Sequence, residues 1–149
     1  MMELKKLNQK NELELNSIIS NFFHQPVDRQ KSVKFLSDKR NIIYACVEDE
    51  NVVAYVLGYQ LPRIDNGNDM LYIHHVCVSA EYRRKGIAKK LLNMALEYAQ
   101  KENLHYVYLI TQTDNLPARR LYESCNGYNH PKNKELYYWY FSAKGLNND

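Results

Sequence analysis

Leu71-Tyr72-Ile73-His74-His75-Val76-Cys77-Val78, then Ser79-Ala80-Glu81-Tyr82-Arg83-Arg84-Lys85-Gly86-Ile87-Ala88, then a stretch running to Gln100, is the part of the chain that decides its fold. It reads as a buried strand, a basic turn with one glycine, and a helix. In the helix Ile87, Leu91, Ala95 and Ala99 step by four. Lys89, Lys90, Asn93, Glu97 and Lys101 lie on the other side, so one face is core and the other is solvated. A strand feeding a helix through such a turn leaves backbone N–H groups without partners, aimed at one point. The helix dipole adds partial positive charge there, and Arg83, Arg84 and Lys85 add full charges. The stretch is therefore an anion site, and phosphate is the anion it suits best.

Toward the N-terminus, 2–7 reads as a short strand and 11–23 as a helix with Leu13, Leu15, Ile18, Ile19, Phe22 and Phe23 on its stripe. Gln25-Pro26 ends it. Asp28 is a plausible cap for a second helix whose apolar positions are Val33, Phe35 and Leu36. Strands over 42–48 and 52–61 form a hairpin through Asp49-Glu50-Asn51, and 62–69 is a loop. Toward the C-terminus, 106–111 is a strand of β-branched and aromatic residues. Asn115 caps a further helix with Pro117 in its first turn, and Asn126-Gly127 ends that helix. The aromatic run over 136–141 reads as a last strand covered on both faces. The order β-α-α-β-β-β-α-β-α-β is α/β in character, with an antiparallel section followed by a parallel, right-handed crossover.

The 149 residues are most economically one domain spanning 1–149. A net charge of +3 suits an anionic small molecule and is too small and dispersed to argue for nucleic acid. Cys46, Cys77 and Cys125 are three widely spaced cysteines without a CxxC, which speaks against a disulfide framework or a zinc site. The opening Met-Met-Glu-Leu-Lys-Lys has no apolar run behind it, as a signal peptide requires, and no stretch is long and apolar enough to span a membrane. The expectation is a soluble, cytoplasmic protein without a metal.

Two common phosphate sites fail on residues. No GxxxxGK[ST] string exists, and the turn holds one glycine where a dinucleotide fingerprint needs three. What stands here is Arg83-x-x-Gly86-x-Ala88. Gly86 removes a Cβ where backbone must approach an anion, and Ala88 keeps the first helical turn slim.

Val76-Cys77-Val78 followed by Arg83-Arg84-Lys85-Gly86-Ile87-Ala88 and its helix resembles the acetyl-CoA-binding motif of the GNAT superfamily of N-acetyltransferases. Downstream, Asn115-Leu-Pro-Ala118-Arg-Arg-Leu121-Tyr122-Glu123-Ser124 resembles the second signature of that family, an Asn-led helix bearing a Tyr seven residues on. The resemblance extends over essentially the whole element order. The stretches 55–62 and 72–88 are most similar to the branch containing aminoglycoside 3-N-acetyltransferases, which adds antibiotic resistance to the functions the resemblance implies.

The resemblance implies a GNAT-like acyl-CoA N-acyltransferase fold and transfer of acetyl from acetyl-CoA directly to an amine. It puts the CoA pyrophosphate on the turn amides from Arg84 to Lys89, with side-chain contacts from Arg83, Arg84 or Lys85. It lays the pantetheine arm along Val76, Cys77 and Val78, with an amide near Val78 stabilising the oxyanion. Gly86, Ile87, Ala88, Asn115 and Ala118 join the CoA-binding set. Tyr122 is the implied general acid for the departing thiolate, or else a packing residue. Where the aminoglycoside branch carries a carboxylate, this chain has His75, which can act as a base near neutrality but removes negative charge from an acceptor pocket for polycations. In a regular strand His74 shares the face of Tyr72 and His75 takes the other, so one of the two histidines faces a given pocket. The chain also has one extra residue between Tyr122 and the Gly127-Tyr128 pair.

Two other function classes stay open at this point: a CoA-binding or regulatory module without catalysis, and a nucleotide-phosphate binder of another fold. The acceptor is a small-molecule amine, with a protein or peptide amine as the alternative. Tyr137-Tyr138-Trp139-Tyr140-Phe141 is a pocket wall, a core strand or a homodimer edge.

Overall fold

A computed structural model describes residues 1–129 and 135–141. The described elements are β1 (Met2–Lys6), α1 (Glu12–Phe23), α2 (Arg29–Ser37), β2 (Asn41–Glu48), β3 (Asn51–Leu61), β4 (Met70–Val78), α3 (Ile87–Lys101), β5 (Val107–Leu109) and α4 (Leu116–Ser124). A 3-10 turn at Ala80–Tyr82 links β4 to the basic turn. The five strands form one sheet in the order β1-β2-β3-β4-β5. All pairs are antiparallel except β4–β5, which is parallel as the strand–helix–strand crossover requires.

β2 and β3 are buried almost end to end, because the sheet is covered on both faces. On one face α3 sets Ile87, Leu91, Leu92, Ala95 and Ala99 against Ile42, Tyr44, Val56, Leu71 and Ile73. Burying each large aliphatic chain there is worth about 1.5–3 kcal/mol. On the other face α1 sets Leu15 and Ile18 against Ile43, Ala45, Val52 and Leu57. The Asp28 carboxylate caps α2 on the amide of Lys31, and Asn115 caps α4 on the amide of Ala118. In α2 the buried residue is Ser32, bonded to Asn16, while Val33 is half exposed. The β2–β3 hairpin turns on Asp49 and Glu50, both at positive φ, the combination a two-residue type I′ turn needs.

Two expectations fail. The strand expected over 106–111 pairs only at Val107–Leu109, against Leu71, Tyr72 and Ile73. The run over 136–141 forms no strand among the described residues, and Leu136, Tyr137, Tyr138, Trp139 and Phe141 are all exposed. An unbroken aromatic run carries no alternation, so it names neither a face nor a partner. A strand exists only where a neighbour accepts its ladder.

One irregularity sets the geometry of the second half of β4. Leu57 of β3 faces His75, but the next residue, Gly58, faces Ile73, so His74 is an extra residue in β4. Gly58 makes this possible. A Cβ there would stand 3.0 Å from Leu71 Cδ1 and 3.2 Å from the Tyr72 carbonyl oxygen. Such a bulge reverses the phase of everything beyond it.

Candidate functional site

β4 ends at Val78, and the chain turns through Arg83 to Gly86 before α3 begins. Arg84 has φ +61° and Gly86 φ +76°, so two left-handed residues fold the turn back on itself. The first bond into α3 runs from the Lys90 amide to the Gly86 carbonyl at 3.2 Å. Among the described residues no backbone carbonyl accepts from the amides of Arg84 to Lys89, and no side chain caps Gly86. These donors sit in an exposed turn at the positive end of a 15-residue helix, and nothing lies within 4 Å of where a Gly86 Cβ would stand.

The basic side chains around them are divided. Arg83 Nε donates to the Val78 carbonyl at 3.1 Å, tying the turn to the strand end. Lys85 Nζ sits 5.3 Å over the ring of Tyr82, whose hydroxyl donates to the Glu48 carboxylate. That carboxylate is the main reason the Tyr82 phenol is harder to ionise than usual. Ile87 is buried in the core, so only its amide is available to a ligand.

The turn opens onto a gap in the sheet. β5 pairs with β4 only as far as Ile73, so among the described residues 74–78 of β4 have no strand neighbour on that edge. Leu71 donates its amide to Tyr106 beside β5, whereas Ser79 donates to Val53 of β3. Two residues eight apart in an unbroken strand would use the same edge. The extra residue His74 reverses the phase, so the N–H groups of Val76 and Val78 look into the gap. Val78 confirms the direction, since its carbonyl is the one that accepts from Arg83.

Tyr122 on α4 lies on the α3 face, close enough to Cys77 of β4 to interact with it electrostatically. It is half-buried and, like Leu121, Val76 and Val78, packs against the core on that face. Burial first, and the neighbouring Cys77 second, push its phenol above the usual tyrosine range, so it keeps its proton at neutral pH. The extra residue after Tyr122 is absorbed by the end of α4: Asn126 takes φ +65°, and the Gly127 amide donates to the Tyr122 carbonyl at 2.9 Å. Asn115 spends its side-chain oxygen on the Ala118 amide, 3.2 Å away, which makes it a helix cap.

On the α1 face, the bulge overturns the expectation that only one histidine faces a given pocket. The rings of His74 and His75 stack with centroids 4.1 Å apart. His75 Nδ1 is 3.3 Å from the Tyr55 hydroxyl, and Phe23 of α1 lies 5.5 Å from its ring. His74 Nδ1 is 3.2 Å from the Tyr72 hydroxyl, and Tyr72 stacks on Tyr108 of β5. Burial, and then the neighbouring His74, push the His75 pKa down to about 4, so its ring is neutral near pH 7. Cys77 shares this face, and burial raises its thiol above the usual range. It lies near Tyr55, Tyr122 and Arg83, each of which acts on it or is acted on by it electrostatically.

The sequence-derived set thus splits into a turn (Arg84 to Lys89), a track (Val76 to Val78), a phenol (Tyr122) on the α3 face and a neutral imidazole (His75) on the α1 face. Sequence reasoning missed Tyr55, Tyr59, Tyr108, Phe23 and Glu48 as parts of the site. None belongs to a local motif; Tyr59 joins the set through its ring, 5.8 Å from that of His74, and the bulge that brings His75 to Tyr55 and Phe23 has no sequence signature beyond Gly58.

Comparison with known proteins identifies the family. The model of the acetyltransferase (GNAT) family matches residues 9–128. The chain belongs to that family. It is 33% identical over 89 residues to streptothricin acetyltransferase of Escherichia coli, covering 60% of this chain and 48% of that protein. It is 30% identical over 105 residues to an N-alpha-acetyltransferase of Saccharolobus solfataricus, covering 63% of this chain and 60% of that protein. The chain therefore spans roughly half the length of these curated relatives. Among solved structures, an aminoglycoside acetyltransferase from an uncultured soil metagenomic sample, in complex with sisomicin, superposes with a TM-score of 0.77 at 16% identity, over 95% of each chain. AAC(6')-Iy in complex with the bisubstrate analogue CoA-S-monomethyl-acetylneamine gives 0.75 at 11% identity, over 95% of this chain and 99% of that one. At such identities the likeness is one of fold. Among the described residues no helix is long and apolar enough to cross a membrane, and no cluster of His, Cys, Asp or Glu is arranged to hold a metal.

Proposed function

We propose that this chain, as a single domain, transfers the acetyl group of acetyl-CoA to a primary amine of a small molecule. The observation that carries the reading is two features at one strand end: amides from Arg84 to Lys89 that no backbone carbonyl accepts from, and an edge of β4 at Val76–Val78 left unpaired among the described residues, with Tyr122 packed on the same core face as Val76 and Val78. The residues suit a nucleotide-bearing thioester. The turn offers N–H donors to a pyrophosphate, and the open edge of β4 offers alternating donors and acceptors to an amide-containing arm.

Acetyl-CoA supplies an activated acyl group with a thiolate leaving group. The chain's own residues do the rest. The Val78 amide, aimed into the gap, is a donor for the carbonyl oxygen as negative charge grows on it. The amine nitrogen forms a bond to the carbonyl carbon, and the C–S bond breaks. Tyr122 gives its proton to the sulfur and is reprotonated from solvent. The nitrogen becomes strongly acidic as it bonds to carbon, so a weak base suffices to take its proton. The neutral His75 imidazole, directly or through water, fits that role.

Isothermal titration calorimetry with acetyl-CoA and with ATP, followed by a thiol-release assay with primary amines, tests the reading. Acetyl-CoA binding, no ATP binding and amine-dependent CoA release support it. ATP binding without CoA binding overturns it. Acetyl-CoA binding with no release for any amine points instead to a CoA-binding module without catalysis.

A further inference from the structure

We propose that the acceptor is an arylalkylamine, a single primary amine on a flat aromatic body, and not a polycation. This rests on the acetyltransferase reading above and concerns its second substrate. Three observations carry it.

The first is a wall of rings. From the last turn of α1 to the edge of β5, Phe23 and Tyr55 each meet the ring of His75, which is followed by His74, Tyr72 and Tyr108, with ring centroids 4.1–6.1 Å apart. Phe23 and Tyr108 are 42% and 37% exposed, so the wall is open at both ends rather than sealed as core. Flat apolar bodies pack on such ring faces and edges.

The second is position. His75 directly precedes Val76, whose amide faces the gap, and Cys77 shares the wall's face. An aromatic body on the wall brings a short aminoalkyl chain to the edge of β4, where the acyl carbon would lie.

The third is charge. None of the wall's own residues is acidic, and two of the acids on α1 are paired with cations. Glu12 pairs with Arg29 and Glu14 with Lys5, Asp28 caps α2, and Asp69 accepts from Gln60. No carboxylate perturbs His75, Tyr55 or Tyr59. The residues outside the described ones contribute one acidic side chain, Asp149. A polyamine or aminoglycoside would bring several ammonium groups to a wall of rings that supplies no carboxylate of its own, and each would lose hydration there at a cost. A lone amine meets ring faces that tolerate one cation and releases its proton before it reacts.

The test is equilibrium binding to the CoA-loaded protein of four probes: tryptamine, spermidine, kanamycin and the tetrapeptide Ala-Ala-Ala-Ala. Tryptamine is expected to bind at least 10-fold more tightly than the other three. Phe23→Ala is expected to weaken tryptamine at least 5-fold with acetyl-CoA affinity unchanged. Phe23→Asp, which sets a carboxylate at the wall's open end, is expected to narrow the tryptamine-to-spermidine ratio at least 10-fold. Equal or tighter binding of spermidine, kanamycin or the peptide overturns the proposal, as does absence of saturable tryptamine binding or a ratio indifferent to Phe23→Asp. Tryptamine binding without CoA release contradicts the transfer reading and leaves the acceptor class standing, so the two failures are distinct.

Discussion

His74 and His75 are adjacent on β4, yet their rings stack on the same face of the sheet with centroids 4.1 Å apart and 26° between planes. Neighbouring residues of a regular strand project to opposite faces. The pair therefore reports the bulge directly, and the bulge is what turns Val76 and Val78 toward the gap.

Gly58→Val is the substitution that addresses the bulge. Its side chain would press on Leu71 Cδ1 and the Tyr72 carbonyl, within 3.0–3.2 Å at the Cβ alone. Overpacking of this kind costs about 1–3 kcal/mol. Urea unfolding should show that loss, and acetyl-CoA affinity should fall further than Gly58→Ala makes it fall. Undiminished affinity in Gly58→Val would mean that the phase reversal does not matter for the cofactor track.

Gly86 separates backbone strain from charge. At φ +76°, with open space where a Cβ would point, Gly86→Ala meets no clash but carries a left-handed penalty of about 1 kcal/mol. It should weaken acetyl-CoA binding modestly in calorimetry. Gly86→Glu adds a negative charge at an anion site and should abolish binding. Equal affinities for the two variants would remove the phosphate from this turn.

Tyr122→Phe keeps the ring's packing on the α3-face core and removes only the hydroxyl. Turnover should fall about 10²–10³-fold, the usual range for one proton-transfer group, with acetyl-CoA affinity nearly unchanged. Steady-state rates alongside calorimetry make that comparison. A rate within a factor of two of the parent would make Tyr122 a packing residue.

His75 makes acid sensitivity predictable. Its pKa falls from the ordinary 6.5 to about 4 in the folded chain. Between those values the unfolded chain binds the proton and the folded chain does not, so folding stability is lost as pH drops from 6.5 toward 4. Urea unfolding at about pH 7 and about pH 4.5 should show a smaller difference in His75→Gln than in the parent. Identical differences would mean that the imidazole is not held neutral by its surroundings.

Much of the fold and site is legible in the sequence. The strand, turn and helix around Gly86 carry local signals, namely a basic tripeptide, one glycine and a four-residue apolar step, and local signals determine local structure. Asn115 and Asp28 are readable as caps for the same reason. The facing of His74 and His75 is not readable, because one inserted residue changes it and only the pairing with β3 reveals the insertion. The length of β5 is not readable either. Its residues favour strand throughout, but the β4–β5 ladder stops after Ile73, and where a ladder stops belongs to the sheet, not to the segment. The aromatic run over 136–141 misleads because strand-favouring composition does not specify a pairing partner.

We propose that CoA binds the Arg84–Lys89 amides and the edge of β4 at Val76–Val78. The direct measurement is a 15N–1H correlation spectrum of the labelled protein during titration with CoA. The amides of Val76, Val78 and Arg84 through Lys89 should show the largest shifts, with Tyr122 ring resonances moving in step. Saturable binding with those amides unmoved, and the largest shifts between α1 and α2, would contradict that placement.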